Sequence, residues 1–366
     1  MEKLFGGAYK GKTVMVTGHT GFKGSWLVFW LQKMGAKVVG FSLDDPSDPC
    51  HFRLLNLKMD SLTGDIRDVA QLEAVITRHK PEVIVHMAAQ ALVRKSYAQP
   101  LETYQTNVMG TLNLLDACRK AGGVKVVLCV TSDKVYDNQE WTWGYRETDK
   151  LGGYDPYSSS KACAEISVSS FRNSFFNLKD HGHKHSTLVA SLRAGNVVGG
   201  GDWAVDRLIP DIVRACSRKE TVIIRSPDAT RPWQHVLECL SGYLVVGQKL
   251  LEGKKEAARE WNFGPTDTAT MSVERVVQHV KHFWPEFNYE IQRSDANPHE
   301  AYALTLDSSL ARVKLGWRQV WAGTHQTFQK TIGWYQKYYG QGILVSEEDL
   351  KAFVKDAQDG KLPWAT

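Results

Sequence analysis

Tyr157 and Lys161 stand four positions apart in the segment Tyr154-Asp155-Pro156-Tyr157-Ser158-Ser159-Ser160-Lys161. On a helix that is one turn, so the two side chains share a face. A phenol with an ordinary pKa of about 10 is a poor base at neutral pH, but an ammonium beside it favours the phenolate and is expected to lower that value. Such a pair can take a proton from a sugar or alcohol hydroxyl. The spacing is common on solvated helix faces, so its meaning depends on what surrounds it. Upstream, the apolar run from Lys125 ends in Thr131-Ser132-Asp133-Lys134. That cluster offers a hydroxyl donor, an acid and a cation at the carboxyl end of a strand, where open α/β sheets gather their reactive groups.

Those groups need a scaffold, and the rest of the chain supplies its pattern. Val14-Met15-Val16-Thr17-Gly18-His19-Thr20-Gly21-Phe22-Lys23-Gly24-Ser25 reads as strand, tight turn and helix, followed by an amphipathic stretch from Trp26 to Lys33. Glycine serves where the backbone turns sharply and where a diphosphate approaches N–H groups at a helix N-terminus. A second apolar run, Lys37 to Leu43, follows at the spacing of a βαβ unit, which predicts dinucleotide binding rather than a plain turn. In Gly64-Asp65-Ile66-Arg67-Asp68 an aspartate can accept from an adenine amino group, and Asp65 or Asp68 can equally cap the next helix. Val83 to Ala89 ends in Ala88 and Ala89, small enough for a backbone lying against a cofactor and equally suited to helix–strand packing. Strands over 13–17, 37–42, 60–63, 82–86, 125–131 and 186–193, with helices between them, predict an α/β fold on a doubly wound parallel sheet.

The Gly-x-x-Gly-x-x-Gly turn, Ser132 and the Tyr157/Lys161 pair, in that order, resemble the extended short-chain dehydrogenase/reductase family over about residues 10 to 330. Asp133 after the serine resembles the nucleotide-sugar 4,6-dehydratases of that family, as do the blocks Arg193-Ala194-Gly195-Asn196-Val197-Val198-Gly199-Gly200-Gly201-Asp202-Trp203 and Arg231-Pro232-Trp233-Gln234-His235-Val236. The resemblance implies a Rossmann domain over 1–195 with later returns near 230–262, and a smaller C-terminal α/β nucleotide-sugar domain from 196–229 and 263–366. It implies NAD as cofactor, held by Gly18, His19, Gly21, Phe22, Lys23, Gly24, Ser42, Asp65, Ile66, Ala88, Ala89, Gln90, Asn107, Tyr157 and Lys161. The implied substrate is a nucleotide-activated hexose contacted by Gln90, Arg94, Ser96, Asn196, Arg207, Arg231, His235, His299 and Tyr302. Helices over Pro100 to Ala121 and Tyr157 to Phe176 resemble the pair that forms a four-helix bundle in this family, which implies a homodimer and leaves a tetramer open.

The implied catalytic set is Ser132, Asp133, Lys134, Tyr157 and Lys161. Tyr157, helped by Lys161, takes the proton of the sugar 4-hydroxyl while Ser132 holds the oxygen. Once a 4-ketone exists the C5 proton is acidic, and Asp133 protonates the hydroxyl that leaves C6. A nucleotide-sugar 4-epimerase shares Ser132, Tyr157 and Lys161 but has no use for that acid. A catalytically silent dinucleotide-binding protein would keep the glycine turn and none of the rest. The chain departs from its relatives at Lys134, where most 4,6-dehydratases carry a glutamate that takes the C5 proton. Lys134 either loses its charge and acts as the base, or stays charged and stabilises the enolate; the carboxylate of Asp133 beside it favours the second. Ser42 stands where an acidic residue usually binds the adenosine ribose. Asp44 or Asp45 can substitute, while Lys23 and Arg53 would suit a 2′-phosphate and leave NADP open.

Composition sets the outer bounds. The 366 residues suffice for one large or two modest domains. The six cysteines show no Cys-x-x-Cys pair and no histidine spacing suited to zinc, so reduced cysteines and no metal are expected. A net charge of +5 spread along the chain does not describe a nucleic-acid reader and fits diphosphate ligands. No apolar run spans a bilayer and Met1 to Phe5 lacks a secretory core, so no membrane association and a cytoplasmic address are expected. Trp203, Trp233 and His235 are divided between packing and base stacking. Pro298-His299-Glu300-Ala301-Tyr302 is expected to close over the nucleotide, and the tail around Ser346 to Lys351 to form a capped peripheral helix.

Overall fold

A computed structural model describes residues 1–224, 226–265, 270–292 and 303–366. The six expected strands form as β1 (Thr13–Thr17), β2 (Lys37–Ser42), β3 (Asp60–Thr63), β4 (Val83–His86), β5 (Val126–Val130) and β6 (Leu188–Ala194), with the largely polar β3 at the exposed edge of the sheet. Beyond them lie β7 (Val197–Val198), β8 (Thr221–Ile224), β9 (Thr230–Pro232), β10 (Gln234–His235), β11 (Glu260–Phe263), β12 (Thr270–Ser272) and β13 (Asn288–Ile291). A seven-stranded sheet runs in the order β11-β6-β5-β4-β1-β2-β3 with every neighbouring pair parallel. Its seventh strand, β11, lies outside the six expected from apolar runs: Glu260-Trp261-Asn262-Phe263 alternates polar and aromatic residues and sits at the sheet edge. The order reverses beside β1 and β4, and in such sheets the crevice outside the carboxyl ends of the strands at that point receives the ligand. Thr17 pairs with both Phe41 and His86, so the turns that follow β1 and β4 emerge on one edge together with the end of β5.

The helices are α1 (Phe22–Lys33), α2 (His51–Leu55), α3 (Val69–His79), α4 (Val93–Ala98), α5 (Pro100–Tyr104), α6 (Gly110–Ala121), α7 (Pro156–Ser174), α8 (Leu208–Arg218), α9 (Val236–Leu251), α10 (Val273–Phe283), α11 (Thr324–Gln341) and α12 (Ser346–Asp359). Alternate residues of the strands face opposite layers. Val14 and Val16 join a cluster with α1, α9, α11 and α12, while Met15 joins Ile76, Leu114 and Val168 on the other face. Both faces of the sheet are covered, as a parallel sheet requires. The helix expected over Pro100 to Ala121 is interrupted by a π-turn at Gln105–Met109, where Asn107 leaves the α-helical ladder to bond its surroundings.

Two expectations fail for a single reason. The stretch Trp26 to Leu31 is buried at every position rather than amphipathic. The tail helix α12 is not peripheral: Leu350 and Phe353 are fully buried, Trp30 meets Phe353 edge-on, and Trp364 stacks on Phe5 at 5.0 Å. The tail packs over α1 and converts what would have been its outer face into core. Ser346 does not cap α12; its hydroxyl is taken by His51 at 2.9 Å and by the Trp334 indole at 3.0 Å.

Candidate active site

Asp155-Pro156 sets the start of α7. The Asp155 carboxylate accepts from the Ser158 amide at 2.9 Å and its hydroxyl at 2.6 Å, and Pro156 fills the first turn where no amide hydrogen is needed. Tyr157, Lys161 and Glu165 then follow one another along a single face, 9%, 6% and 3% exposed. That face meets the end of β5. There Ser132 caps a short turn over Asp133–Val135, accepting from the Lys134 amide at 3.2 Å and donating to Asp133 at 3.0 Å.

Burial governs the proton affinities. It raises the Tyr157 phenol above its ordinary value, with the Ser132 hydrogen bond and the Arg207 charge pulling back and Asp133 adding to the rise. This corrects the expected lowering by Lys161: the ammonium donates to the Val130 carbonyl at 3.1 Å, and desolvation of the phenol outweighs its influence. Burial and the neighbouring Lys23 bring Lys161 down to about 8, against an opposing pull from Glu165. Desolvation raises the Asp133 carboxyl, more than Lys134, Ser132, Arg231 and Lys23 lower it. One of its oxygens, Oδ2, is buried with no hydrogen-bond partner among the described residues. A protonated acid removes that penalty and is ready to give its proton away.

The glycine turn is fixed by close approach. Gly18 has a φ of +73°, and a Cβ there would lie 2.8 Å from the Ala88 amide; one on Gly24 would lie 2.1 Å from the Gly18 carbonyl. Helix α1 begins with Gly21, carries no side-chain cap and has no acidic residue in its first turn, which leaves its amides and Lys23 facing an incoming anion. Lys23 lies within electrostatic reach of Asp133, Lys161 and Cys239, on the catalytic side of the turn. Ser42 bonds Thr20 at 2.7 Å, and Arg53 is held by Asp45 at 2.7 Å. That pairing commits Arg53 to Asp45 instead of leaving it free for a 2′-phosphate.

Several sequence candidates turn out to hold the frame. Asp68 caps α3, while Asp65 is bound by Arg67 through its amide and guanidinium; Ile66 packs beneath Gly110. Asn107 joins the Gln90 backbone to Ser160, the Gln90 side chain is spent on Leu92 and Thr103, and Ser96 bonds Val93. His19 lies against Phe52 and bonds Ser61 at 2.7 Å, its pKa pushed down to about 4 by burial. His235 is 1% exposed, caps α9 and rests against Trp26 and Trp321; Trp203 and Trp233 are likewise core residues, which resolves all three toward packing. Ala88 donates its amide to Thr17, and Ala89 continues that loop.

Arg207 pairs with Asp202 at 3.2 Å and acts electrostatically on Tyr157, and Arg231 donates to the Thr230 carbonyl at 2.8 Å and acts on Asp133. Asn196 receives the Gln234 amide through its carbonyl at the turn after β6, and Arg94 lies 3.9 Å from Asp206 at the rim. His299 and Tyr302 lie outside the described residues. Lys134 opens onto a cavity of about 550 Å³ with Tyr154, Ser158 and Leu304 on its wall, and forms no salt bridge with Asp133 among the described residues. What the sequence reading passed over is the support beneath the site. Glu165 accepts from Thr131 at 2.5 Å, Ser191 at 2.8 Å and Arg193 at 2.7 Å. Its position one turn after Lys161 was the available signal.

The family model described as GDP-mannose 4,6 dehydratase matches residues 15–330. The CDP-glucose 4,6-dehydratase of Salmonella typhimurium is 50% identical over 340 residues, covering 92% of this chain and 94% of that protein. The UDP-glucose 4-epimerase of Erwinia amylovora is 28% identical, covering 88% and 97%. Among solved structures, the UDP-glucose 4-epimerase of Thermotoga maritima superposes with a TM-score of 0.75 at 22% identity, over 89% of this chain and 99% of that one. The dTDP-glucose 4,6-dehydratase of Streptomyces venezuelae, solved with NAD, gives 0.75 at 22% identity, over 90% and 98%. These superpositions establish the Rossmann-like fold.

The strained environment of Asp133 has a measurable consequence. A carboxyl whose folded pKa lies above its unfolded value of about 3.9 destabilises the folded state as pH rises past that value, because the unfolded chain ionises first. Asp133→Asn should therefore melt higher than the parent at pH 7, with the difference closing below about pH 4. Melting curves at both pH values check this, and a variant that melts lower at pH 7 contradicts the assignment.

Proposed function

The chain belongs to the GDP-mannose 4,6-dehydratase family, and from that premise we propose that it is a hydro-lyase converting CDP-glucose to CDP-4-dehydro-6-deoxyglucose. The observation that carries the reading is Asp133. A buried carboxyl beside Ser132 and Tyr157, its proton affinity raised by desolvation, serves the loss of water and has no task in a 4-epimerase. The relative at 50% identity has the same activity, and the epimerase likeness is far weaker.

The uncapped start of α1 and the Gly18–Gly24 turn, with Gly18 against Ala88, would hold the diphosphate of NAD, and Ser42 or Asp45 would meet its ribose. Bound there, it would supply a hydride acceptor for C4 of the sugar and a hydride donor for C6. Tyr157 takes the 4-hydroxyl proton, with Ser132 donating to the same oxygen and Lys161 holding positive charge below it. A cationic cofactor ring held beside Tyr157 would oppose the rise that burial imposes on the phenol. With the C4 carbonyl formed, the C5 proton passes to solvent while Lys134 stabilises the enolate, Asp133 gives its proton to the C6 hydroxyl as it leaves as water, and a solvent proton returns to C5 when C6 is reduced. Arg207, Arg231 and Asn196 hold the nucleotide diphosphate, and arginine suits that task by paired hydrogen bonds. Residues 1–195 and the returns near 230–262 form the cofactor-binding part, from which Arg231 reaches the nucleotide, and 196–229 and 263–366 form the nucleotide-sugar part, apart from the tail helix α12 and the residues after it, which pack over α1.

The remaining parts of the reading concern setting. Among the described residues no helix is long and apolar enough to cross a membrane, and a cytoplasmic enzyme supplying deoxysugars for lipopolysaccharide O-antigen suits the product. Leu101 and Met109 on the α5–α6 segment and Ile166 on α7 are 77%, 50% and 57% exposed. They fit burial against a second copy in a four-helix bundle.

Incubation with CDP-, dTDP-, GDP- and UDP-glucose, followed by product mass, tests the activity. Loss of one water from CDP-glucose is expected; an unchanged mass with inverted configuration would make the protein an epimerase. For Lys134, arginine keeps the charge but cannot deprotonate. Lys134→Arg should retain turnover within about tenfold while Lys134→Met falls by about a hundredfold or more. Loss of solvent-deuterium exchange at C5 in Lys134→Arg would instead make Lys134 the base. Ile166→Glu should shift the protein from dimer to monomer in light scattering, and an unchanged dimer would place the interface elsewhere.

A further inference from the structure

The three residues Ser132, Asp133 and Lys134 lie between two anchors. Thr131, on one side, donates its hydroxyl to Glu165 at 2.5 Å. Tyr136, on the other, accepts at its phenol oxygen from Arg193 at 2.8 Å and donates to Asn262 at 2.7 Å. Glu165 and Arg193 are themselves joined at 2.7 Å, at 3% and 4% side-chain exposure. Arg193 also donates to the Glu147 carbonyl at 2.9 Å and lies 5.1 Å over the Tyr136 ring. One buried ion pair therefore grips both ends of the stretch that carries the reacting groups. It reaches that stretch from the face of α7 that also presents Tyr157 and Lys161.

The groups that act on Lys161 explain why a negative charge is needed there. Lys23 on α1 repels it; His86 on β4 is buried between Thr17 and Thr111 and kept neutral; Cys129 on β5 is a protonated thiol. On its own helix Tyr157 precedes it by a turn and Glu165 follows it by a turn. Among these, Glu165 is the anion, and its proton is held off because burial is outweighed by the Arg193 charge and three donors.

We propose that Glu165 is a positioning residue: fixed by Arg193, it clamps the Thr131–Tyr136 stretch so that Ser132, Asp133 and Lys134 meet Tyr157, and one helical turn along the same buried face it sets a negative charge against the Lys161 ammonium. The proposal rests on the dehydratase reading for its catalytic meaning, but the charge relation stands on Glu165 and Lys161 alone. Glu165 touches neither sugar nor cofactor, so its removal acts through its neighbours.

Glu165→Gln preserves shape and removes the charge. The expected result is kcat lower by about tenfold or more with KM within about threefold, since groups acting in the transition state are displaced and substrate binding is not. The alkaline limb of the pH–kcat profile should move to lower pH by about one unit, because Lys161 loses its opposite charge. Thr131→Val cuts the clamp and leaves the charge, so it should lower kcat without moving the limb. Should Glu165→Gln fail to fold, Glu165→Gln combined with Arg193→Met removes both charges together, a change that buried pairs tolerate better; kcat should fall by the same margin, while the limb moves less because a positive charge leaves with the negative one. Independently of any substrate, the pH at which Lys161 begins to react with an amine-specific reagent, located by peptide mass, should fall in the charge-removing variant. Parent-like kcat and limb in Glu165→Gln, or an unshifted Lys161 reactivity, would overturn the proposal. A parent protein that does not dehydrate CDP-glucose would sink the functional reading alone, leaving the reactivity measurement to decide Glu165.

Discussion

Three ionisable side chains at four-residue spacing, Tyr157, Lys161 and Glu165, are buried on one face of α7 against the ends of β5 and β6, and the rest of the site follows from that constraint. Isolated charges in such a place carry a desolvation penalty of several kcal/mol each, so each must either find partners or change its protonation. Glu165 takes the first course through Arg193, Thr131 and Ser191. Lys161 takes part of the second, its pKa falling to about 8. Tyr157 and Asp133 are pushed toward their protonated forms. A site that must move protons in both directions needs groups poised in this way.

The same burial explains why so many polar residues around the cleft are hydrogen-bonded to the frame. Asn107, Gln90, Thr103 and Ser160 close their hydrogen bonds on one another, and the π-turn at Gln105–Met109 lets Asn107 do so. That cluster ties the loop after β4 to α7. The glycine turn after β1 is held with equal strictness from the other side, where Gly18 lies against Ala88 and Gly24 against Gly18. Between these two fixed loops the end of β5 has little freedom, and the acid, hydroxyl and cation it carries are presented in one orientation.

The tail contributes at a distance. By covering α1 with Phe353 and Trp364, and by engaging His51 through Ser346, α12 and the last residues make the helix behind the glycine turn part of the core. Fixing α1 fixes the amides at its start, which are what a diphosphate meets. A pattern of charged residues at Ser346 to Lys351 suggested a helix on the surface; the apolar residues interleaved with them decided otherwise.

The sequence by itself determined the sheet, the glycine turn and the order of the reacting residues, because those rest on local rules: apolar runs for buried parallel strands, glycine where the backbone is crowded, a capping aspartate and a proline at the start of α7. It also marked Ser132, Asp133, Tyr157 and Lys161, which announce themselves by type and spacing. The tertiary structure decided what those groups are worth. Whether Lys161 lowers the Tyr157 pKa, whether His235 faces a ligand or a tryptophan, and whether Glu165 is a surface charge or half of a buried pair depend on burial and on partners such as Arg193, 28 residues away in sequence. Electrostatic strength is set by the local dielectric and by distance in space, and neither is written in the spacing of residues along a chain.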